Sequence, residues 1–142
     1  MPINEPVIEG HKGAILDLDW CPFNDNLIAS ASEDSTICIW KIPDEGLTQS
    51  ISKAQVKLKG HERKVIIVTW HAYASDILLS TGSDHKILIW NVQTKVILTT
   101  IYSQSEIQSA CWSFAKDLIC VTSKDKMIRI FNPKTGHLVN VS

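Results

Sequence analysis

Serine, histidine and aspartate recur along this 142-residue chain in a fixed register, and together they could carry out acyl transfer. His11, Ser30 and Asp34 come with Trp40, and His61, Ser80, Asp84 and Trp90 repeat the set 50 positions later. A hydrolytic triad needs an exposed serine on a strained turn, a histidine to take its proton and an oxyanion hole beside it. The chain has no Gly-x-Ser-x-Gly elbow, and the set occurs twice, closed each time by a tryptophan. Those four groups suit a structural task better. Indole, hydroxyl, imidazole and carboxylate can be strung donor to acceptor, so that each is satisfied when buried.

The spacing also says which elements hold the set. Gly10-His11 and Trp20 recur as Gly60-His61 and Trp70, and a weaker third copy places Trp112, Asp125 and Phe131 at 42, 41 and 41 positions beyond Trp70, Asp84 and Trp90. A period of about 40 to 45 residues, opened by Gly-His and closed by Trp at a strand end, marks one four-stranded blade of a WD-repeat β-propeller. The fold class expected is therefore all-β, with about three four-stranded antiparallel blades. In each blade the His precedes the innermost strand, the Ser lies on the second, the Asp in the next turn and the Trp on the third. The third copy has Ser103 in place of His, Val121 in place of Ser and Phe131 in place of Trp, so that blade is expected to rely on apolar packing alone.

Residues 6–9 read as an outer strand of a preceding blade, followed by blade one at 14–59, blade two at 65–102 and blade three at 107–141. Leu16, Leu18 and Trp20 alternate with Ile15, Asp17 and Asp19, the period of two that a strand requires. Leu-Ile-Ala-Ser-Ala-Ser at 27–32 is small on both faces, as suits a sheet packed between two others. Turns at Asp34-Ser35, Asp84-His85 and Asp125-Lys126 lack the usual Asp-Gly and lose its ease of tight geometry. Nine extra residues fall within 43–52, a surface loop of the kind that often carries contacts.

Fourteen Lys and Arg against fifteen Asp and Glu give a net charge of −1, so no global field recruits nucleic acid or an anionic membrane. No run of 18 apolar residues offers a transmembrane helix, and Met1 to Gly10 carries no apolar export segment. Cys21, Cys38, Cys111 and Cys120 contain no C-x-x-C pair and are expected to be packed, reduced thiols. The five histidines lack the spacing of a metal pair, so neither metal nor cofactor is expected. Three blades leave two apolar faces without neighbours, and self-association is expected to cover them.

The segment Gly10 to Ser30 (GHKGAILDLDWCPFNDNLIAS), with Ser32-Glu33-Asp34, Trp40 to Pro43, Gly46-Leu47-Thr48, Gly60 to Val65, Ile89 to Val92 and Lys124-Asp125-Lys126, resembles the coronins over nearly the whole chain. The resemblance implies part of a seven-bladed ring in a cytoplasmic, non-enzymatic scaffold of the actin cytoskeleton. Coronins bind actin filaments through the propeller and a basic extension, and oligomerise through a C-terminal coiled coil. The alternative is a generic WD-repeat adapter that recruits another protein. Either reading directs attention to the rim where loops enter the first strand and where the second turns into the third: Glu33, Arg63, Lys64, Ser83, Glu106, Gln108, Lys124 and Lys126. Its basic members could complement acidic actin.

Overall fold

The structure, a computed structural model, describes residues 8–24, 26–44, 53–71, 74–113 and 118–141. Twelve strands follow in chain order: β1 Ile15–Trp20, β2 Leu27–Ser32, β3 Thr36–Lys41, β4 Val56–Lys59, β5 Val65–Trp70, β6 Ile77–Gly82, β7 Lys86–Asn91, β8 Val96–Tyr102, β9 Ile107–Ser113, β10 Leu118–Ser123, β11 Ile128–Phe131 and β12 Leu138–Val141. They form three separate four-stranded antiparallel sheets in sequential order, β1 to β4, β5 to β8 and β9 to β12. Of the outer strand expected at 6–9, residues 6 and 7 lie outside the described residues, as do residues 45–52 of the insertion.

The meander is written into local chemistry. Each tight turn between the second and third strands ends on a left-handed residue, Ser35, His85 or Lys126, with φ near 65°. A Cβ there costs roughly 1–2 kcal/mol, and the Asp just before the left-handed residue offsets it by receiving the N–H two residues further on, where the next strand begins or is about to begin. Thr36 N–H donates to Asp34 at 3.0 Å, Lys86 N–H to Asp84 at 3.1 Å and Met127 N–H to Asp125 at 3.1 Å. The three turns are thus one device used three times.

Two cores lie between the sheets. Ala29, Ala31, Ile37, Ile39 and Leu58 of blade one pack on Val68, Trp70, Leu78, Leu88 and Trp90 of blade two. Leu79, Ile87, Ile89 and Ile101, from the opposite face of blade two, pack on Trp112, Ile119, Val121 and Phe131 of blade three. Strand β6 is therefore buried on both faces, and even its polar residues Ser80 and Thr81 are fully covered. The innermost strand of blade one behaves otherwise. Its acidic face turns inward: Val68 N–H donates to Asp17 at 3.1 Å and Trp70 N–H to Asp19 at 2.8 Å. Leu18 and Trp20, on the other face, are 55% and 54% exposed.

Candidate partner-binding site

The frame beneath the rim is a chain of hydrogen bonds with only one consistent direction. In blade two the Trp90 indole donates to Ser80 Oγ at 2.8 Å, Ser80 Oγ lies 2.8 Å from His61 Nε2, and His61 Nδ1 lies 3.1 Å from Asp84 Oδ2. The ionised carboxylate can only accept, so His61 donates to it from Nδ1, and the neutral ring then accepts the Ser80 proton at Nε2 while Ser80 accepts from the indole. Burial, acting against the Asp84 charge, pushes the His61 pKa down and holds the ring in this neutral form. Burial would raise Asp84, but hydrogen bonds from the Glu62 N–H, His61 and the Lys86 N–H win and lower it. Blade one repeats the geometry through Trp40, Ser30, His11 and Asp34, at 2.9, 2.6 and 3.0 Å. There the Thr36 hydroxyl, the Lys12 N–H and His11 overcome the effect of burial and hold Asp34 well below the usual carboxylate range.

Chemically, this set does nothing to a substrate. Ser30 and Ser80 are 1% and 0% exposed, and each hydroxyl is occupied by an indole and an imidazole. The glycine of Gly-His has its own reason. A Cβ on Gly60 would sit 2.7 Å from the far edge of the Trp90 ring and 3.0 Å from Ile97. The tryptophan that starts the network thus excludes a side chain from residue 60.

Blade three corrects the expectation of apolar packing alone. Arg129 on β11 sends one guanidinium nitrogen to Ser123 Oγ at 2.7 Å and the other to Asp125 Oδ2 at 2.6 Å, and Ser123 also donates to Asp125 at 2.8 Å. With Ser103 in place of a histidine, the Asp at the turn is left to a different donor. Arg129 stands 41 positions beyond Leu88 and supplies it from the neighbouring strand, as a cation. Its hydrogen bond, with that of Ser123, draws Asp125 down to about 2. Ser103 itself only closes a local turn, donating to the Ser105 carbonyl at 2.7 Å. The signal in the sequence was Arg129, the single charged residue on β11.

Two tryptophans whose role the repeat did not reveal tie blade to blade. The Trp70 indole donates to the Asp19 carbonyl at 3.0 Å, and the Trp112 indole to the Thr69 carbonyl at 3.4 Å. Each is the last aromatic of an innermost strand, reaching the innermost strand of the blade before. Trp112 also lies against His71, ring centroids 4.6 Å apart.

Above this frame, the rim residues divide. Glu106 receives Lys124 Nζ at 3.0 Å and is lowered first by that hydrogen bond and charge, with His85 and Lys64 contributing at longer range. Lys64, His85, Glu106 and Lys124 therefore converge at the boundary of blades two and three. Arg63 and Ser83 line an adjoining cleft with Glu62, Asp84 and His85, and Lys86 is paired with Glu62 at 3.2 Å. Among the described residues, Arg63, Lys64 and Lys126 have no ion-pair partner. Glu33 lies apart, in the turn of blade one, where its N–H donates to the Ala14 carbonyl. Gln108 lines the groove between the three innermost strands, with Asp17, Asp19 and Thr69. Among the described residues no three His, Cys, Asp or Glu side chains gather to hold a metal, and no helix is long and apolar enough to cross a membrane.

Comparison with known proteins agrees with this architecture. The family model "WD domain, G-beta repeat" matches residues 4–41, 52–91 and 95–132. Coronin-A of Dictyostelium discoideum is 57% identical over 136 residues, 95% of this chain and 31% of that protein. The WD40 domain of Toxoplasma gondii coronin superposes with a TM-score of 0.91 at 32% identity, over 95% of this chain and 35% of that one. The chain thus spans about a third of the length of these relatives. With three blades built on one residue set and these matches along almost its whole length, the chain belongs to the WD-repeat family, as a coronin-like partial propeller.

Proposed function

We propose that this chain serves as a non-enzymatic, cofactor-free scaffold of the actin cytoskeleton in the cytoplasm, and that its rim at blades two and three contributes to an actin-filament contact. The observation that carries the reading is the 57% identity to Coronin-A across 95% of the chain. The charge arrangement supports it: Arg63 lines the cleft and Lys64 follows it in the chain, both without an ion-pair partner among the described residues, where an acidic filament surface could be met. The mixed rim, with Glu62 and Glu106 among its cations, instead favours the adapter reading if filaments are ignored. Neither reading involves nucleic acid or insertion into a membrane. We further propose that the isolated chain pairs with a second copy through the open apolar face of blade one, where Leu16, Leu18 and Trp20 are exposed. Light scattering should then show assemblies that the double change Leu18→Glu, Trp20→Glu disperses. A parent that is already a monodisperse monomer would refute the pairing.

Sedimentation with actin filaments tests the main reading. A longer propeller containing these blades should co-sediment at low salt and be released as salt rises, because the Debye length shrinks from about 10 Å at 0.1 M to about 3 Å at 1 M. Reversing Arg63 and Lys64 together to Glu should weaken binding more than reversing Lys12, and the 142-residue chain alone should bind poorly. A parent that ignores filaments at low salt transfers the function to another protein partner. A neutral double reversal keeps filament binding but removes it from this rim.

A further inference from the structure

Blade three carries a pair of thiols that neither the repeat pattern nor the proposed scaffold role uses. Cys111 on β9 and Cys120 on β10 are direct cross-strand partners in the antiparallel register. Opposed residues in such a ladder point to the same face with Cα atoms about 4.5 to 5.5 Å apart, inside the range of roughly 4.4 to 6.8 Å that a disulfide spans. The face they share carries Ser109 and Thr122 in the next opposed position, with Ile128 and Ile130 beyond on β11. It is the face of blade three turned away from blade two. Cys111 is exposed, Cys120 is partly covered, and both are free thiols. Cys21 and Cys38, by contrast, are buried and lie on different elements of blade one, where neither opposes another cysteine.

We propose that Cys111 and Cys120 form a redox-modification site, closing to a reversible intrachain disulfide with a small disulfide oxidant such as glutathione disulfide. The exposed thiol acts first. The Cys111 thiolate attacks one sulfur of glutathione disulfide, expels one glutathione thiolate and leaves a mixed disulfide on residue 111. Cys120 then loses its proton to solvent and attacks the Cys111 sulfur, expelling the second glutathione. Two protein thiols are oxidised, one glutathione disulfide is reduced to two thiols, and two hydrogens leave the chain. Burial, and then the adjacent Cys111 thiol, push the Cys120 pKa up, which makes it a poor first nucleophile and suits it to the resolving step. The bond would pin β9 to β10.

Intact-mass and peptide analysis of the purified 142-residue chain provides the test. The reduced chain is incubated with glutathione disulfide, remaining thiols are alkylated, and the protein is digested with trypsin without reductant. Cleavage after Lys95, Lys116 and Lys124 separates the two cysteines into peptides 96–116 and 117–124. They should appear joined, with the loss of two hydrogens per chain and full recovery of both thiols on reduction. In the Cys120→Ser chain the reaction should stop at a glutathione adduct on Cys111, and in Cys111→Ser the linked species should be lost. Should either variant fail to fold, the unmodified chain still decides, because limited alkylation should label Cys111 before the other three cysteines. Mixing isotope-labelled and unlabelled chains separates intrachain from interchain bonds. Linkage between chains, a Cys111 adduct that never resolves in the parent, or oxidation that starts at Cys21 or Cys38 would each overturn the proposal.

Discussion

Blade two and blade three meet the same requirement with different groups. In each, a carboxylate just after the second strand must hold the first N–H groups of the third, and that carboxylate then needs a proton donor of its own. Blade two supplies a buried neutral histidine, fed through a serine by an indole. Blade three supplies an arginine from the facing strand, with a serine beside it. The first solution is deep and directional, with the His61 and Asp84 side chains both buried. The second lies nearer solvent, where a charged pair is screened and contributes less. The repeat thus conserves a job for the aspartate and leaves open which residue completes it.

The largest effect that would expose this difference is removal of the histidine. His61→Ala should cost on the order of 1 to 3 kcal/mol for each polar group it strands, first the Ser80 hydroxyl. Ser103→Ala, its counterpart in blade three, should cost at most about 1 kcal/mol, the value of one ordinary hydrogen bond. Urea unfolding of the two variants measures both, and equal losses would break the comparison.

Next in size is the glycine ahead of the histidine. Gly60→Ala drives a methyl against the Trp90 ring and should cost about 1 to 3 kcal/mol, as overpacking does. Tyr102, the residue ahead of Ser103 at the end of β8, stands where Gly60 stands ahead of His61 and is 70% exposed. Its change to Ala should stay within about 0.5 kcal/mol. A Gly60→Ala chain that unfolds at the parental urea midpoint would mean the tryptophan can move aside.

Acid should separate the two solutions by pH. The His61 pKa is lower in the fold than in the unfolded chain, where it lies near about 6.5. The stability it contributes is therefore complete above about pH 6.5 and declines as pH falls through that value toward the folded one. Asp34, Asp84 and Asp125 are also depressed, and their contribution is complete above about pH 4 and lost only as pH falls through their folded values. Thermal unfolding between about pH 7 and about pH 5 should thus slope downward in the parent and in Arg129→Leu, and be flatter in His61→Ala. The same slope in all three chains would place the titrating group elsewhere.

The smallest effect serves as a control. His85→Gly and Lys126→Gly relieve the same left-handed backbone, and each should stabilise by up to about 1 kcal/mol after the entropy of a freer unfolded chain is counted. The gains should match between blades, because the turn is shared even where the network is not. Unequal shifts in the unfolding midpoint would show that the two turns differ.

Much of the fold was legible because a blade is a local object. Its strands are consecutive, its turns are tight, and its hydrogen-bonded set is repeated within about 50 residues, so alternation and repeat spacing bring out sheets and networks together. Arg129 escaped because comparison with the other repeats asks which expected residue is missing, while its function depends on a strand pairing that brings a new group to the vacancy. The candidate rim was legible as a set of residues and not as a surface: Lys124 and Glu106 neutralise each other, and Gln108 belongs to the inner groove.

The sequence by itself determined the number of blades, the order of their strands and the identity of the two buried networks, since each follows from contacts within one repeat. Only the tertiary structure decided which face of each sheet is covered. The alternation of β1 leaves open whether Asp17 and Asp19 or Leu18 and Trp20 point inward, and the answer comes from backbone N–H groups on β5, 51 residues away, that the two carboxylates satisfy. It also decided that Cys111 meets Cys120, and that Lys64, His85, Glu106 and Lys124 share one corner. Those are relations between strands and between blades, fixed by register and packing across space, for which spacing along the chain carries no signal.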